Sequence, residues 1–210
     1  EMGWDENKLD FFRRHIVQLG RSGLFVVYDE LAAKEPVKWN YLLHTVELPM
    51  EITGEEGGFR ILGKNKADGI SVAHLFSSQE MTYAQTDTFF VAAVDWKNRL
   101  GKSMDNHYHF TATTTPCTRT CFLNVIDVHG NNRPDIIVTR DGNSILADGW
   151  VIECNLAGDS TPYLRIRNDH KNVSLDFNYD TNKGVTTIID HVNGKKVEKK
   201  LVDFLPSFEI

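Results

Sequence analysis

The stretch VSLDFNYDTNKGVTTIIDHVNGKKVEKKLV, residues 173–202, decides the fold class. Apolar and polar residues alternate from Val173 to Tyr179, the period of a strand with one face on a core. Asn193-Gly194 separates the next two runs, 185–192 and 195–202, and favours a tight hairpin turn because both residues tolerate positive φ. The sequence therefore predicts three strands in an antiparallel meander.

Upstream segments carry the same signals. Leu24–Tyr28 is rich in β-branched and aromatic residues, typical of a buried strand, and residues 37–46 alternate. Asp141-Gly142, between Pro134–Thr139 and Ser144–Ala147, predicts another hairpin. Strands at short, regular spacing predict an antiparallel, two-layer β-sandwich.

Helical periodicity is sparse in this chain. Trp4–Arg14 predicts either one short helix or an extended segment, and Phe89–Leu100 is a second helix candidate. No linker or internal repeat is visible, so we expect 1–210 to form a single all-β sandwich region with at most one or two short helices. The chain begins at Glu1 without a signal peptide, and we interpret it as the excised C-terminal part of a longer protein.

Composition excludes several functional classes. The net charge is -6 and the sequence has no basic stripe, which argues against nucleic acid as a partner. No apolar run approaches the length of a membrane-spanning helix, so no membrane span is predicted. The three cysteines are too few for a disulfide framework. Cys121 and Cys154 are predicted to be small buried residues, with a bridge between them left open.

The histidines are the candidate site residues. His107 and His109 are two apart on a predicted strand, so both point to one face and would both reach a metal ion, but no third ligand is fixed by spacing. A surface or glycan-facing role is the stronger hypothesis, and no metal is assigned. His44 and His74 are each either a general base or a histidine at a strand rim, bonded to a neighbour, and the second interpretation is preferred.

Aromatic and acidic residues offer weaker candidates. Trp96 is a possible stacking platform for a sugar ring, whereas Trp39 and Trp150 alternate like core residues. Asp29 and Glu30 point to opposite faces of a strand, so they do not form a catalytic carboxylate pair. Asp29 is instead expected to bond to backbone amides at a strand end. No nucleophile, phosphate-binding or metalloprotease motif is present, and no catalytic residue is assigned.

Two blocks of sequence resemble heparinase II/III-like proteins. The first contains Arg14–Leu19, then Leu24–Leu31 (LFVVYDEL), then Pro36–Thr45 (PVKWNYLLHT). These are similar to an arginine-led strand, a "vvvyDel" strand and a strand ending in "wllH" in that family. The second contains His107-Tyr-His-Phe-Thr and Cys121–Ile126, which resemble the later "wHl … fltvl" strands. Together the blocks cover about the first 130 residues.

The resemblance implies a modular polysaccharide lyase that cleaves acidic polysaccharides by β-elimination. Its N-terminal α-helical toroid would belong to the same polypeptide and pack against the β-sandwich, and its location would be periplasmic or extracellular in a bacterium. The family commonly binds a structural zinc through motifs resembling "GHxHaD", "vDpGty" and "AHNt". None of these strings occurs in this sequence, so we expect no cofactor in this chain.

Two functions from different classes follow. The first is a non-catalytic C-terminal β-sandwich that supports the substrate cleft of a lyase and is inactive alone. The second is a stand-alone carbohydrate-binding module, with His44, His107, His109 and Trp96 as candidate substrate contacts. A metal-dependent enzyme built on His107 and His109 is a third, weaker hypothesis.

Overall fold

The computed structural model describes residues 8–20, 23–87, 107–157, 163–180 and 185–200. These residues form sixteen strands and no helix: β1 Leu9–Leu19, β2 Leu24–Val37, β3 Asn40–Val46, β4 Glu51–Glu55, β5 Gly58–Lys64, β6 Gly69–Ser77, β7 Met81–Thr86, β8 His107–Thr114, β9 Cys117–Gly130, β10 Val138–Asp141, β11 Ser144–Ala147, β12 Trp150–Cys154, β13 Leu164–Asn168, β14 Val173–Asp180, β15 Val185–Asp190 and β16 Lys195–Lys200. Every strand pairing is antiparallel. The predicted all-β, antiparallel fold class is confirmed.

The chain divides into two compact units, residues 1–135 and 136–210. Strands β1 to β9 belong to the first unit and β10 to β16 to the second. No composition shift marks this boundary, which is why the sequence suggested a single region instead.

The first unit has two sheets that face each other. One has six strands in the order β1-β2-β9-β6-β5-β4, and the other has three in the order β3-β8-β7. Both contribute to one core, whose buried members are Tyr41, Phe110 and Ala112 from the smaller sheet, Ile61, Ala73, Leu75 and Phe122 from the larger one, and Met50 from the β3–β4 connection. This is the two-layer arrangement of a β-sandwich.

Alternation along β3 and β8 produces this packing. Tyr41 is buried while Leu42 is 55% exposed, and on β8 Phe110 and Ala112 are fully buried. Each fully buried large apolar side chain contributes roughly 1.5–3 kcal/mol. The alternation predicted for residues 37–46 is confirmed, and Trp39 beside them packs against this core, as its pattern predicted.

The N-terminal segment is extended rather than helical. Leu9–Leu19 pairs with β2 along its length, so the helix interpretation of Trp4–Arg14 is wrong wherever the structure describes it. Inter-strand hydrogen bonds and the β-branched pair Ile16-Val17 outweigh a weak helical pattern. The other helix candidate, Phe89–Leu100, lies outside the described residues.

The second unit is a seven-stranded meander in the order β10 to β16. The predicted hairpins are confirmed, but their turns differ. Gly142-Asn143 forms the first loop, since Asp141 pairs with Ser144. The last loop spans 191–194 because Asp190 pairs with Lys195 and accepts two backbone hydrogen bonds inside the loop. The two-residue turn predicted at Asn193-Gly194 is therefore wrong. Of these two residues, Gly194 has a positive φ and Asn193 does not.

Candidate functional site

The three-stranded sheet turns one face toward the core and the opposite face away from it. We call the second face the outer face; it comprises Asn40, Leu42, His44 and Val46 on β3, Thr82, Ala84 and Thr86 on β7, and His107, His109, Thr111 and Thr113 on β8. Hydroxyl, amide and imidazole groups dominate it. The strand rise makes β8 roughly 20 Å long from His107 to Thr113.

A histidine pair occupies one end of the outer face. His44 and His109 are directly opposite each other on β3 and β8, with ring centroids 4.5 Å apart in an edge-to-face arrangement. His107 lies on the same face two residues before His109. Burial, and then the positive charges that His44 and His107 can carry, lower the pKa of His109. His109 is therefore neutral at neutral pH.

The structure brings three of the four candidate site residues together. His107 and His109 lie on the side of β8 opposite Phe110, as the alternation predicted, and His44 joins them from β3. Trp96 lies outside the described residues. Within the described part of the chain, no group of three His, Cys, Asp or Glu residues is arranged to hold a metal ion.

The other end of the outer face opens into a shallow groove of about 300 Å³. Its lining residues come from the ends of the three strands and the turns beside them: Lys38, Glu80, Met81, Thr82, Thr113, Thr114, Thr115 and Pro116. Thr82 and Thr113 are cross-strand partners. The Thr113 hydroxyl donates to Asn40 Oδ1 at 2.8 Å, which orients this wall. Sequence reasoning missed the groove because its lining comes from three segments, at Lys38, Glu80–Thr82 and Thr113–Pro116, that are far apart in the chain.

A partly buried ion pair lies on the core side of the larger sheet. Arg14 donates from Nε and an Nη to the two carboxylate oxygens of Asp29, both at 2.7 Å. The Asp29 side chain is 2% exposed and that of Arg14 is 45% exposed. Asp29 lies in the middle of β2, so its predicted role as a turn residue is wrong. Glu30 points to the opposite face, as predicted, and pairs with Arg13 at 2.9 Å.

Tyr41 and Asn124 extend this polar cluster into the core. The Asn124 amide donates to the Tyr41 hydroxyl at 3.1 Å, and burial raises the pKa of Tyr41. The Arg14 guanidinium lies 5.8 Å from the centre of the Tyr41 ring. A buried phenol with a raised pKa stays protonated at neutral pH, so the cluster is structural in character.

His74 is also held by a neighbour. Its Nδ1 lies 3.0 Å from a carboxylate oxygen of Glu55 on β4, and its side chain is 6% exposed. The interpretation of a histidine bonded to a neighbour is confirmed, although His74 sits inside β6 rather than at a rim. Such burial keeps a substrate from reaching the ring.

A network of ion pairs lies near the C-terminal end of the first unit, and no sequence pattern had indicated it. His129 Nε2 lies 3.1 Å from Asp135 and 3.7 Å from Asp127. Arg133 donates to Asp127, and Arg60 donates to Asp135. Each carboxylate is thus neutralised by an arginine, which favours anchoring of the 131–135 segment over catalysis.

Other observations bear on the remaining candidate roles. All three cysteines are free thiols. Trp150 and Cys154 are buried, as their alternation predicted. Within the described ranges, no helix is long and apolar enough to span a membrane. No protein-family model matches the sequence, and no curated protein matches it either.

Proposed function

We propose that this chain is the non-catalytic β-sandwich part of a polysaccharide lyase resembling the heparinase II/III-like enzymes. The observation that carries the proposal is the Arg14–Asp29 ion pair. These two residues are the most distinctive charged positions of the block that resembles the family, and they neutralise each other inside the fold.

The burial of the charged groups argues against catalysis by this block. A general acid or base must come within hydrogen-bond reach of a substrate. The Asp29 carboxylate is 2% exposed and the Glu30 carboxylate 5% exposed, and each is paired with an arginine. Their contribution is to hold β1 against β2, which suits a scaffold that supports a substrate cleft.

An elimination assay tests this proposal. The isolated chain and the polypeptide encoded by its complete reading frame are each incubated with heparan sulfate, chondroitin sulfate and alginate, and ultraviolet absorbance of the unsaturated product is followed. We expect absorbance to rise only with the longer polypeptide. A rise with the isolated chain would show that the catalytic groups lie within it, and no rise with either would remove the lyase assignment.

A second candidate function is carbohydrate binding by the chain itself. It is favoured by the meeting of His44 and His109, one from each block that resembles the family, on a face rich in hydroxyl groups. Imidazoles and hydroxyls both donate and accept hydrogen bonds, as sugar hydroxyls require. Calorimetric titration of the isolated chain with acidic oligosaccharides tests this candidate, and absence of heat at millimolar ligand would eliminate it.

A further inference from the structure

The groove at the end of the outer face combines three kinds of chemistry within one small volume. Lys38 supplies an ammonium group, Glu80 a carboxylate, and Thr82 and Thr113 adjacent hydroxyls. Met81 also lines the groove and adds apolar surface, while part of its side chain packs against the core. A volume of about 300 Å³ lies at the lower end of the range for small-ligand sites and suits a single ring.

The two charged side chains of the groove, Lys38 and Glu80, are both exposed. Among the ion pairs of the described residues, neither Lys38 nor Glu80 takes part. This contrasts with Asp29, Asp127 and Asp135, which are each paired with an arginine. Lys38 and Glu80 are therefore the charged side chains that the groove lining offers to a ligand.

Hydrogen bonds between neighbouring strands hold the groove walls in place. The backbone amide of Trp39 donates to the Thr114 hydroxyl at 3.1 Å, and the Thr115 amide donates to the Glu80 carbonyl at 3.1 Å. These bonds tie the start of β3 and the start of β7 to the end of β8. A site whose walls are held in this way loses less conformational entropy when it binds a ligand.

We propose that this groove is a subsite for one uronic acid residue of an acidic polysaccharide. The Lys38 ammonium pairs with the sugar carboxylate, Glu80 accepts from a ring hydroxyl, Thr82 exchanges hydrogen bonds with another, and Met81 contacts the apolar face of the ring. The rest of the saccharide continues along the outer face toward His44. This inference rests on the second candidate function, carbohydrate binding by the chain itself.

The ligand class follows from the pairing of one cation with several neutral hydroxyl partners. A phosphate monoester carries about two negative charges and would face the Glu80 carboxylate without a second cation in the groove lining, whereas a uronate presents one negative charge together with hydroxyls. The net charge of -6 also disfavours long-range attraction of a highly sulfated chain. A carboxylate-only polyuronate is therefore the better match.

The test is calorimetric titration of the intact chain with short alginate oligosaccharides and with the same oligosaccharides after reduction of their carboxyl groups. Lys38→Gln removes the cation while keeping a similar stem, and Thr82→Val removes one exposed hydroxyl. Lys66→Gln is the matched control, an exposed lysine in the β5–β6 turn that does not line the groove. Far-ultraviolet circular dichroism verifies that every variant is folded.

We expect the alginate affinity to fall about fivefold or more in Lys38→Gln, the size of one charge-assisted hydrogen bond in a partly open site. Thr82→Val should weaken binding less, and Lys66→Gln should bind like the wild type. Carboxyl-reduced oligosaccharides should bind the wild type as weakly as alginate binds Lys38→Gln. Higher salt should reduce wild-type affinity more than that of Lys38→Gln.

Three results would overturn the inference. If Lys38→Gln and the wild type bind alginate with equal affinity, the groove is not the binding site, and the carbohydrate binds elsewhere on the chain. Equal affinity of the wild type for alginate and for its carboxyl-reduced form would show that the site does not recognise the uronate carboxylate. No binding of either ligand by the wild type would remove both the subsite and the carbohydrate-binding candidate, and would leave the lyase scaffold to be decided by the elimination assay.

Discussion

Replacing Arg14 by methionine tests the role assigned to the ion pair between Arg14 and the buried Asp29. Methionine keeps most of the apolar stem but removes the guanidinium that binds both oxygens of Asp29 at 2.7 Å. The carboxylate, 2% exposed, would then be left without its cation. Because burying an unpaired charge is costly, the folded state should lose stability.

The size of the loss follows from the burial of the two partners. Removing one partner of a fully buried pair costs about 3–5 kcal/mol. The Arg14 side chain is 45% exposed, so water can reach the space it vacates and solvate part of the carboxylate. We therefore expect Arg14→Met to lower the free energy of unfolding by about 2–3 kcal/mol. Asp29→Asn should cost less, about 1–2 kcal/mol, because the half-exposed guanidinium can turn to solvent.

Arg165 and Asp176 provide a matched control. They are also cross-strand partners, with Arg165 Nε 2.7 Å from Asp176 Oδ1, but the carboxylate is 14% exposed. Arg165→Met should cost about 0.5 kcal/mol and its effect should shrink in salt. Equilibrium urea unfolding, followed by tryptophan fluorescence and far-ultraviolet circular dichroism, measures each variant. Equal losses in Arg14→Met and Arg165→Met, or full additivity of Arg14→Met with Asp29→Asn, would refute the reasoning.

Three further predictions concern single residues. The folded chain holds the pKa of His109 below its ordinary value of about 6.5, so the unfolded chain takes up a proton first as the pH falls. The free energy of unfolding, measured in urea, should therefore decrease as the pH falls from about 6.5 toward the pKa of the folded state. His109→Gln should weaken this pH dependence. Burial raises the pKa of Cys121 to about 11, so it should resist a thiol reagent in the native protein at about pH 8 and react once urea is added. Gly23→Ala should destabilise by more than about 2 kcal/mol in thermal unfolding, because the new Cβ would collide with the carbonyl oxygen of Val128, whereas Gly142→Ala, which meets open space, should cost only about 1 kcal/mol for its positive φ.

The fold class was accessible from the sequence because its signals are local. Side chains alternate between the two faces of a strand, so the apolar residues around Tyr41, Phe110 and Phe177 identify the apolar face of each strand without knowledge of its neighbours. The N-terminal segment was ambiguous for the opposite reason. Its pattern fits both a helix and an extended strand. Pairing with β2, which later residues form, decides in favour of the strand.

The candidate site was only partly predictable. The side of β8 on which His107 and His109 lie followed from alternation, and it needed no knowledge of the neighbouring strand. The presence of His44 beside His109 depends on the register of β3 against β8, which connects residues about 65 positions apart. Asp29 was misassigned because its partner, Arg14, faces it from the next strand across the sheet.

By itself, the sequence determined that this protein is built from antiparallel strands, because side-chain alternation and turn chemistry act between neighbours along the chain. The tertiary structure alone decided which strands are adjacent and where the units divide. It also decided whether a charge meets solvent or an opposite charge. Those outcomes depend on cross-strand register and burial, which no local pattern contains. For that reason the pairing of Arg14 with Asp29 and the meeting of Lys38 and Glu80 in one groove became visible only in the folded chain.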